Sequence, residues 1–243
     1  MKIVISMPVF NESEGIAEFL SEIRNSLTFD TTYVIVEDAS YDETKHVLHD
    51  LTNQFSIIVI ENLKNMGHGA STIKGLRQSS TLDCDFVLST DGDGQFYGRD
   101  FCKMLQEITT SESKIVEGVR RDRTDPWYRK VPSIVTRLIV FLKSGSFPQD
   151  ANTPMRIYEK ATLVKMLRVI PDELKTPNIF ISALVRKNKM SICEIYVASR
   201  RRRGKNSVGT MWNSKTEILP SWKFLRFCFS AFFEIITLKV PRI

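Results

Sequence analysis

Phe86-Val87-Leu88-Ser89-Thr90-Asp91-Gly92-Asp93-Gly94-Gln95 is an apolar run that ends on two carboxylates. Its first four residues have the length and character of a buried strand, and its polar, glycine-bearing tail reads as the loop at that strand's carboxyl end. Residues i and i+2 at a strand end can point to the same side, so Asp91 and Asp93 can face one ligand. Two carboxylates held together repel unless a cation or protons lie between them. Hard divalent cations take carboxylate oxygens, and Mg2+ usually shares them with substrate phosphates. Gly92 and Gly94 allow close backbone approach by a ligand. A solvated D-G turn is the other reading. The position behind a buried strand favours the metal site.

Upstream of this stretch, strand and helix alternate. Lys2–Ser6 reads as a first strand ending at Met7-Pro8. A helix follows, with Ile16, Phe19, Leu20, Ile23 and Leu27 at helical spacing. Tyr33–Val36 is a second strand stopping at Glu37-Asp38, and Ser40 with Glu43 has the spacing of a capping box for the next helix. Ser56–Ile60 is a third strand; Asn65-Met66-Gly67-His68-Gly69 then turns into a helix through Ile73 and Leu76. Downstream, Asp100–Ile108 is helical and Ile115–Val119 is a fifth strand ending at Arg120. Such alternation predicts an α/β fold, a mostly parallel central sheet with helices on both faces. Ligands of such sheets sit at the carboxyl ends of the strands. There the polar clusters fall: Pro8–Glu12, Glu37-Asp38, Asp91–Gln95 and Arg120.

The second half is less regular. Lys130–Leu142 and Pro177–Lys187 read as helices, Asp150–Tyr158 as a turn entering a strand, and Ser191–Val197 as a strand. Arg200–Ser207 is a basic, glycine-containing loop whose arginine forks suit phosphate oxygens. Residues 1–215 are expected to form one domain, and 216–243 an amphipathic C-terminal helix. In Trp222–Leu238, Lys223, Arg226, Ser230, Glu234 and Thr237 share a narrow polar arc, and the rest of the circumference is apolar and rich in phenylalanine. A membrane-interface anchor and a helix packed on its own domain are both compatible with that pattern, and the anchor is the preferred reading.

Composition narrows the function classes. With 243 residues, 42% hydrophobic and 26% charged, the chain is neither disordered nor collagen-like nor a disulfide-stapled miniprotein. Lys plus Arg is 34 against 28 Asp plus Glu, and the net charge of +6 favours anionic partners. Four scattered cysteines without a C-x-x-C read as free thiols of a reducing compartment. Three histidines, none beyond His68, argue against a histidine triad or a histidine metal centre. No signal-peptide core and no long charge-free apolar run is present, so a cytoplasmic protein, peripheral on the inner face of the membrane, is expected.

The order of these motifs resembles the family-2 inverting glycosyltransferases of GT-A fold. The series is Met7-Pro8-Val9-Phe10-Asn11-Glu12, Val36-Glu37-Asp38, Asn65-Met66-Gly67, Asp91-Gly92-Asp93-Gly94-Gln95, Gly118-Val119-Arg120, Asp150-Ala151-Asn152-Thr153-Pro154-Met155-Arg156 and Arg203-Gly204-Lys205-Asn206-Ser207. Within the family it is most similar to the dolichyl- and polyprenyl-phosphate sugar synthases, through Arg129-Lys130-Val131-Pro132-Ser133. The resemblance implies that Pro8, Phe10, Glu12, Val36 and Asp38 hold a nucleoside. It implies that Asp91, Asp93 and Gln95, around Gly92, hold Mg2+ or Mn2+ against a diphosphate, and that Arg120 and Arg201 or a neighbouring arginine contact phosphates. Arg129 and Ser133 would hold an acceptor phosphate. Three departures are visible: Glu37 stands where the family has Asp, Pro154-Met155 where it has Gly-Phe or Gly-Tyr, and Asn206-Ser207 where it has Ser-Lys.

The implied reaction transfers a sugar from a nucleotide-diphosphate sugar to a polyprenyl phosphate. A transferase extending a glycan or cell-surface polysaccharide is the alternative, and it would need a base, for which Asp150 is the candidate. A basic nucleic-acid-binding domain is disfavoured because no aromatic residue interleaves the arginines. A nucleotidyltransferase is disfavoured because Pro8–Glu12 occupies the place of its glycine-rich loop. The oligomeric state stays open, a homo-oligomer included.

Overall fold

The computed structural model describes residues 1–121, 127–203 and 222–243, without the side chains at 121, 127–130, 223, 224 and 227. The expected alternation is present: β1 (Lys2–Val9), α1 (Ile16–Ser26), β2 (Asp30–Glu37), α2 (Thr44–Leu51), β3 (Ile57–Glu61), α3 (His68–Thr81), β4 (Phe86–Ser89), α4 (Gly98–Thr110) and β5 (Ile115–Arg121). Then come α5 (Trp127–Ser144), β6 (Arg156–Glu159), α6 (Lys160–Leu167), α7 (Pro177–Lys187), β7 (Ile192–Ala198) and α8 (Trp222–Thr237). The sequence reading did not anticipate α6.

The two-residue period of β1 explains the layering. Ile3, Ile5, Met7 and Val9 pack in one apolar cluster with Phe19 and Leu20 of α1 and Phe101 and Met104 of α4. Val4 packs in the other cluster, with Ile73 and Leu76 of α3 and Leu163 and Met166 of α6. A strand apolar on both faces has to lie between two helical layers. The strand runs further than the sequence suggests, through Pro8. That residue lacks an N–H, but its carbonyl accepts the Gly92 N–H at 3.3 Å.

The seven strands have the order β3-β2-β1-β4-β6-β5-β7. Pairs β1–β2, β1–β4, β2–β3 and β5–β7 are parallel, and β6 alone runs antiparallel, between β4 and β5. Because β6 runs the other way, its first residue, Arg156, lies beside Ser89 at the end of β4. The chain leaves β1 toward β2 and β3 and returns on its other side at β4, a topological switch of the kind that opens a crevice.

One local expectation is overturned. The capping box of Ser40 and Glu43 is not formed, since α2 has no side-chain cap bond from its N-cap residue Glu43. Ser40 is drawn elsewhere: its hydroxyl accepts the Asn11 N–H at 3.0 Å, and its N–H donates to Glu37 Oε1 at 2.6 Å. Asp42 takes the Thr44 N–H at 3.0 Å instead. The four cysteines are free. Among the described residues no helix is long and apolar enough to cross a membrane.

Candidate active site

A cleft of about 1000 Å3 opens at the carboxyl ends of the strands. Pro8 in β1, Phe10 and Glu12 just after it, Asp38 after β2, and Asp91, Gly92 and Asp93 after β4 line it. Arg120, Asn152, Pro154 and the segment Glu173–Asn178 line it as well.

The loops after β1 and β2 are bound to each other. Asn11 and Ala39 both adopt left-handed backbone (φ 55° and 58°), which for alanine costs roughly 1–2 kcal/mol. The turn is held because Tyr41 N–H donates to Asn11 Oδ1 at 3.1 Å and Asp38 N–H to the Val9 carbonyl at 2.9 Å. Glu37, 2% exposed, is spent on bracketing Ser40. Asp38 accepts from Asn62 Nδ2 at 2.7 Å, Met66 N at 2.8 Å and Gly67 N at 2.9 Å. Its carboxylate therefore organises the turn in which Gly67 (φ 87°) opens α3, as the sequence reading of Asn65–Gly69 expected.

That turn delivers His68, which the sequence reading had set aside, to Asp91: Nε2 and Oδ1 are 2.7 Å apart. Desolvation in the cleft opposes a charge on His68, but the Asp91, Asp93 and Asp38 carboxylates outweigh it and lift the imidazole above its ordinary value. Burial also opposes the Asp91 charge. His68 and Arg120 more than offset this, so Asp91 lies below the usual carboxylate range. Asp93 goes the other way. Burial first, and then the negative charge of Asp91, push it up to about 7. Its Oδ1 accepts only the Gln95 N–H, at 3.2 Å, among the bonds found. The site thus carries an excess of negative charge that a cation would balance.

The glycines of this loop are also required by the protein's own packing. A Cβ at Gly92 would meet Val9 Cγ2 at 2.5 Å, and one at Gly94 (φ 70°) would meet Arg203 Cδ at 2.6 Å. The loop's backbone is held from outside, by Arg203 N–H to the Asp93 carbonyl at 3.1 Å and Arg200 N–H to the Gln95 carbonyl at 2.9 Å.

The basic run is paired more than its sequence suggests. Arg200 binds Glu22 at 2.6 Å, Arg203 binds Glu18 and Glu22, and Arg202 binds Glu12. Arg202, not Arg201, enters the cleft wall; Arg201 is exposed outside it. The Arg202 Nε is buried without a partner among the described residues. Arg120 grips Asp150 with both arms (2.7 and 3.0 Å) and donates to the Asn152 carbonyl at 2.9 Å.

Of the other expected site residues, Val36 is fully buried and packs toward Gly75 of α3. Gln95 engages through its backbone and does not line the cleft, and neither do Asp150 and Ser133. Arg129 lies in the first turn of α5, its side chain outside the described residues, as are Gly204–Ser207. Sequence reasoning also missed the support beneath the cleft. Arg156, fully buried, donates to Glu117 Oε1 (2.8 Å), to the Thr153 carbonyl (2.7 Å) and to the Asn178 side chain and carbonyl (2.9 and 3.0 Å). Arg186 donates to Glu117 Oε2 at 2.8 Å. Burial opposes the Glu117 charge, and the two guanidiniums still hold it below the usual range. Charges inside a strand and a helix carry no sequence mark that separates them from exposed ones.

Among the described residues no group of three or more His, Cys, Asp or Glu is arranged around a metal position. The donor set is the Asp91 and Asp93 carboxylates. Two hard oxygen donors suit Mg2+ or Mn2+, ions that keep further positions for water and substrate phosphates.

The glycosyl transferase family 2 model matches residues 4–168. Over 215 residues the chain is 26% identical to the UDP-N-acetylglucosamine–dolichyl-phosphate N-acetylglucosaminyltransferase of Methanococcus voltae, covering 79% of this chain and 83% of that protein. It is 26% identical to the undecaprenyl-phosphate 4-deoxy-4-formamido-L-arabinose transferase of Proteus mirabilis, covering 69% of this chain and 52% of that one. The fold is similar to glucosyl-3-phosphoglycerate synthase from Mycobacterium tuberculosis, solved with Mn2+, UDP and glucosyl-3-phosphoglycerate. The TM-score is 0.62 at 13% identity, with 84% and 72% of the two chains covered.

Proposed function

The chain belongs to glycosyl transferase family 2, and from that premise we propose that it moves a sugar from a nucleoside-diphosphate sugar to a polyprenyl phosphate at a membrane surface. The observation that carries this reading is the pair Asp91 and Asp93 at one cleft wall, with Asp93 held near 7 by burial and its neighbour's charge. Both relatives named above act on polyprenyl phosphates by name, which supports the acceptor class, and the first is named for a UDP-sugar, which supports UDP as the nucleotide.

In this reading the donor's anomeric C–O bond breaks, a new C–O bond forms to the acceptor phosphate, and the nucleoside diphosphate leaves. Pro8, Phe10 and Glu12 present the wall for the nucleoside, with Asp38 holding the loop beside it. Asp91 and Asp93 would hold Mg2+ or Mn2+, which when bound supplies positive charge against the leaving diphosphate. Arg202 and Arg120, which both line the cleft, add fixed positive charge for the phosphates. A phosphate monoester is already anionic and needs no strong base. The engagement of Asp150 with Arg120 therefore costs this reaction nothing, whereas a glycan hydroxyl would need a free carboxylate. Arg129 and Ser133 remain the expected acceptor-phosphate pair at the start of α5.

The membrane reading rests on two neighbouring helices. Ile134, Leu138 and Leu142 of α5 form an exposed stripe at helical spacing, and Phe229, Phe233 and Ile236 of α8 are exposed as well. Exposed apolar surface of this kind marks an interaction site. Arg226, Lys239 and Arg242 are exposed alongside it, as an anionic lipid surface would require.

Purified protein assayed with a panel of nucleotide sugars, with and without EDTA and polyprenyl phosphate, tests the proposal. The expected product is an acid-labile sugar phosphate on the lipid, formed only with metal. Metal-independent transfer, or transfer only to a glycan hydroxyl, contradicts it.

A further inference from the structure

The apolar outer face of α8 is only half of what that helix does. On its inner side, beside the buried Ala231 and Ile235, Ser230 and Glu234 reach a segment that lines the cleft. Glu234 Oε1 accepts the Lys175 N–H at 3.0 Å, and Oε2 accepts the Thr176 N–H at 3.1 Å and the Thr176 hydroxyl at 2.9 Å. One turn earlier, Ser230 Oγ accepts from Lys175 Nζ at 2.6 Å. Lys175 and Thr176 both line the cleft, and Thr176 is the N-cap of α7. Its own side chain makes no cap bond, and Pro177 follows with no N–H, so the Glu234 carboxylate serves that helix start from another element.

The bracketed segment is packed tightly against the start of α3. A Cβ on Gly69 would come within 1.9 Å of the Leu174 carbonyl oxygen and 2.7 Å of that of Lys175. Gly69 is next to His68, which holds Asp91. At its far end the segment is gripped by Arg156 through Asn178. Glu234 holds one end of a cleft wall whose other end is fixed in the core.

We propose that Glu234 is a positioning residue: from the C-terminal helix it fixes the 173–178 wall of the cleft, so that the surface that docks α8 and the site that takes the acceptor are one mechanical unit. The acceptor half of this statement rests on the polyprenyl-phosphate reading above; the bracket itself does not. In the full chain the Lys175 and Thr176 amide hydrogens are protected by the carboxylate. Glu234→Ala should speed their exchange about tenfold or more, since each 1.4 kcal/mol of lost protection is a factor of ten. The same variant should raise the acceptor KM about tenfold while UDP affinity, measured by calorimetry, changes less than twofold. Glu234→Gln keeps one acceptor oxygen and should fall between the two, and it serves as the readable variant if the alanine chain does not fold. Unchanged exchange at 175 and 176 overturns the bracket, and an equal loss of UDP affinity overturns its confinement to the acceptor side. Should the wild-type chain transfer nothing to polyprenyl phosphate, the acceptor assignment fails on its own and the exchange experiment still decides Glu234.

Discussion

At the carboxyl ends of β1, β2 and β4, carboxylates face an open cleft and are held there by backbone N–H groups; along α5 and α8, phenylalanine, leucine and isoleucine face outward while Glu234 and Ser230 face the protein. The rim crowds Asp91 and Asp93 together, and the flank exposes apolar surface that it does not cover. Each region departs from what water alone favours, and the two departures call for different partners. The teaching of the contrast is that a site and its docking surface can be recognised by the same test, a surface whose cost is recovered only when something else is bound.

The largest expected effect lies beneath the rim, at Glu117. It binds Arg156, which holds Asn178 at the cleft, and Arg186 of α7. Glu117→Gln leaves two buried guanidiniums short of a counter-charge and should cost about 3–5 kcal/mol, a fall in Tm of roughly 10 °C. The wild-type chain should show a matching pH dependence. A carboxyl held below its ordinary value of 4.5 gives stability that is complete above that value and lost as pH falls through the lower, folded one. The glutamine variant should lack this acid-side loss. A variant as stable as wild type would mean that the support beneath the rim is not electrostatic.

Next in size is the rim itself. Asp93→Ala should lower sugar transfer about 100-fold or more with little change in Tm, because among the described residues its side chain accepts only the Gln95 N–H. Turnover within a few-fold of wild type would remove Asp93 from the chemistry.

The smallest expected effect belongs to the flank. Phe229→Ser with Phe233→Ser, both exposed, should reduce binding to anionic vesicles about tenfold and leave UDP affinity alone. Equal vesicle binding would mean that this apolar face has another occupant.

How much of this was legible in the sequence differs between the regions for the same reason. The rim is built from short loops at strand ends, and its strands carry a two-residue apolar period. The sheet, the cleft and the convergence of Asp38, Asp91 and Asp93 could therefore be read from local pattern. The misreadings there concern partners supplied by distant loops. Ser40 is taken by Asn11 rather than by its own helix, and His68 meets Asp91 across more than twenty residues. On the flank the amphipathic period of α8 was visible. Two members of the polar arc, Ser230 and Glu234, nevertheless turn inward, because Lys175 and Thr176 present donors that they satisfy, with Ala231 and Ile235 buried beside them, while Arg226 and Thr237 stay exposed. Periodicity gives the faces of a helix and says nothing about which face meets the protein. The antiparallel insertion of β6 between β4 and β5 was hidden similarly, since a four-residue strand has too few positions to declare its direction.

The account stands on the Asp91–Asp93 pair acting through a cation on a diphosphate. The most direct measurement is a calorimetric titration of UDP into the protein with Mn2+ and again with EDTA, repeated for Asp93→Ala. The result predicted is binding at least tenfold tighter with Mn2+ in the wild-type chain, a difference that disappears in the variant. Because Asp93 titrates near 7, the Mn2+ advantage should also shrink below that pH, where a proton competes for the same oxygens. UDP bound equally well with Mn2+ and with EDTA, in both chains, would contradict it.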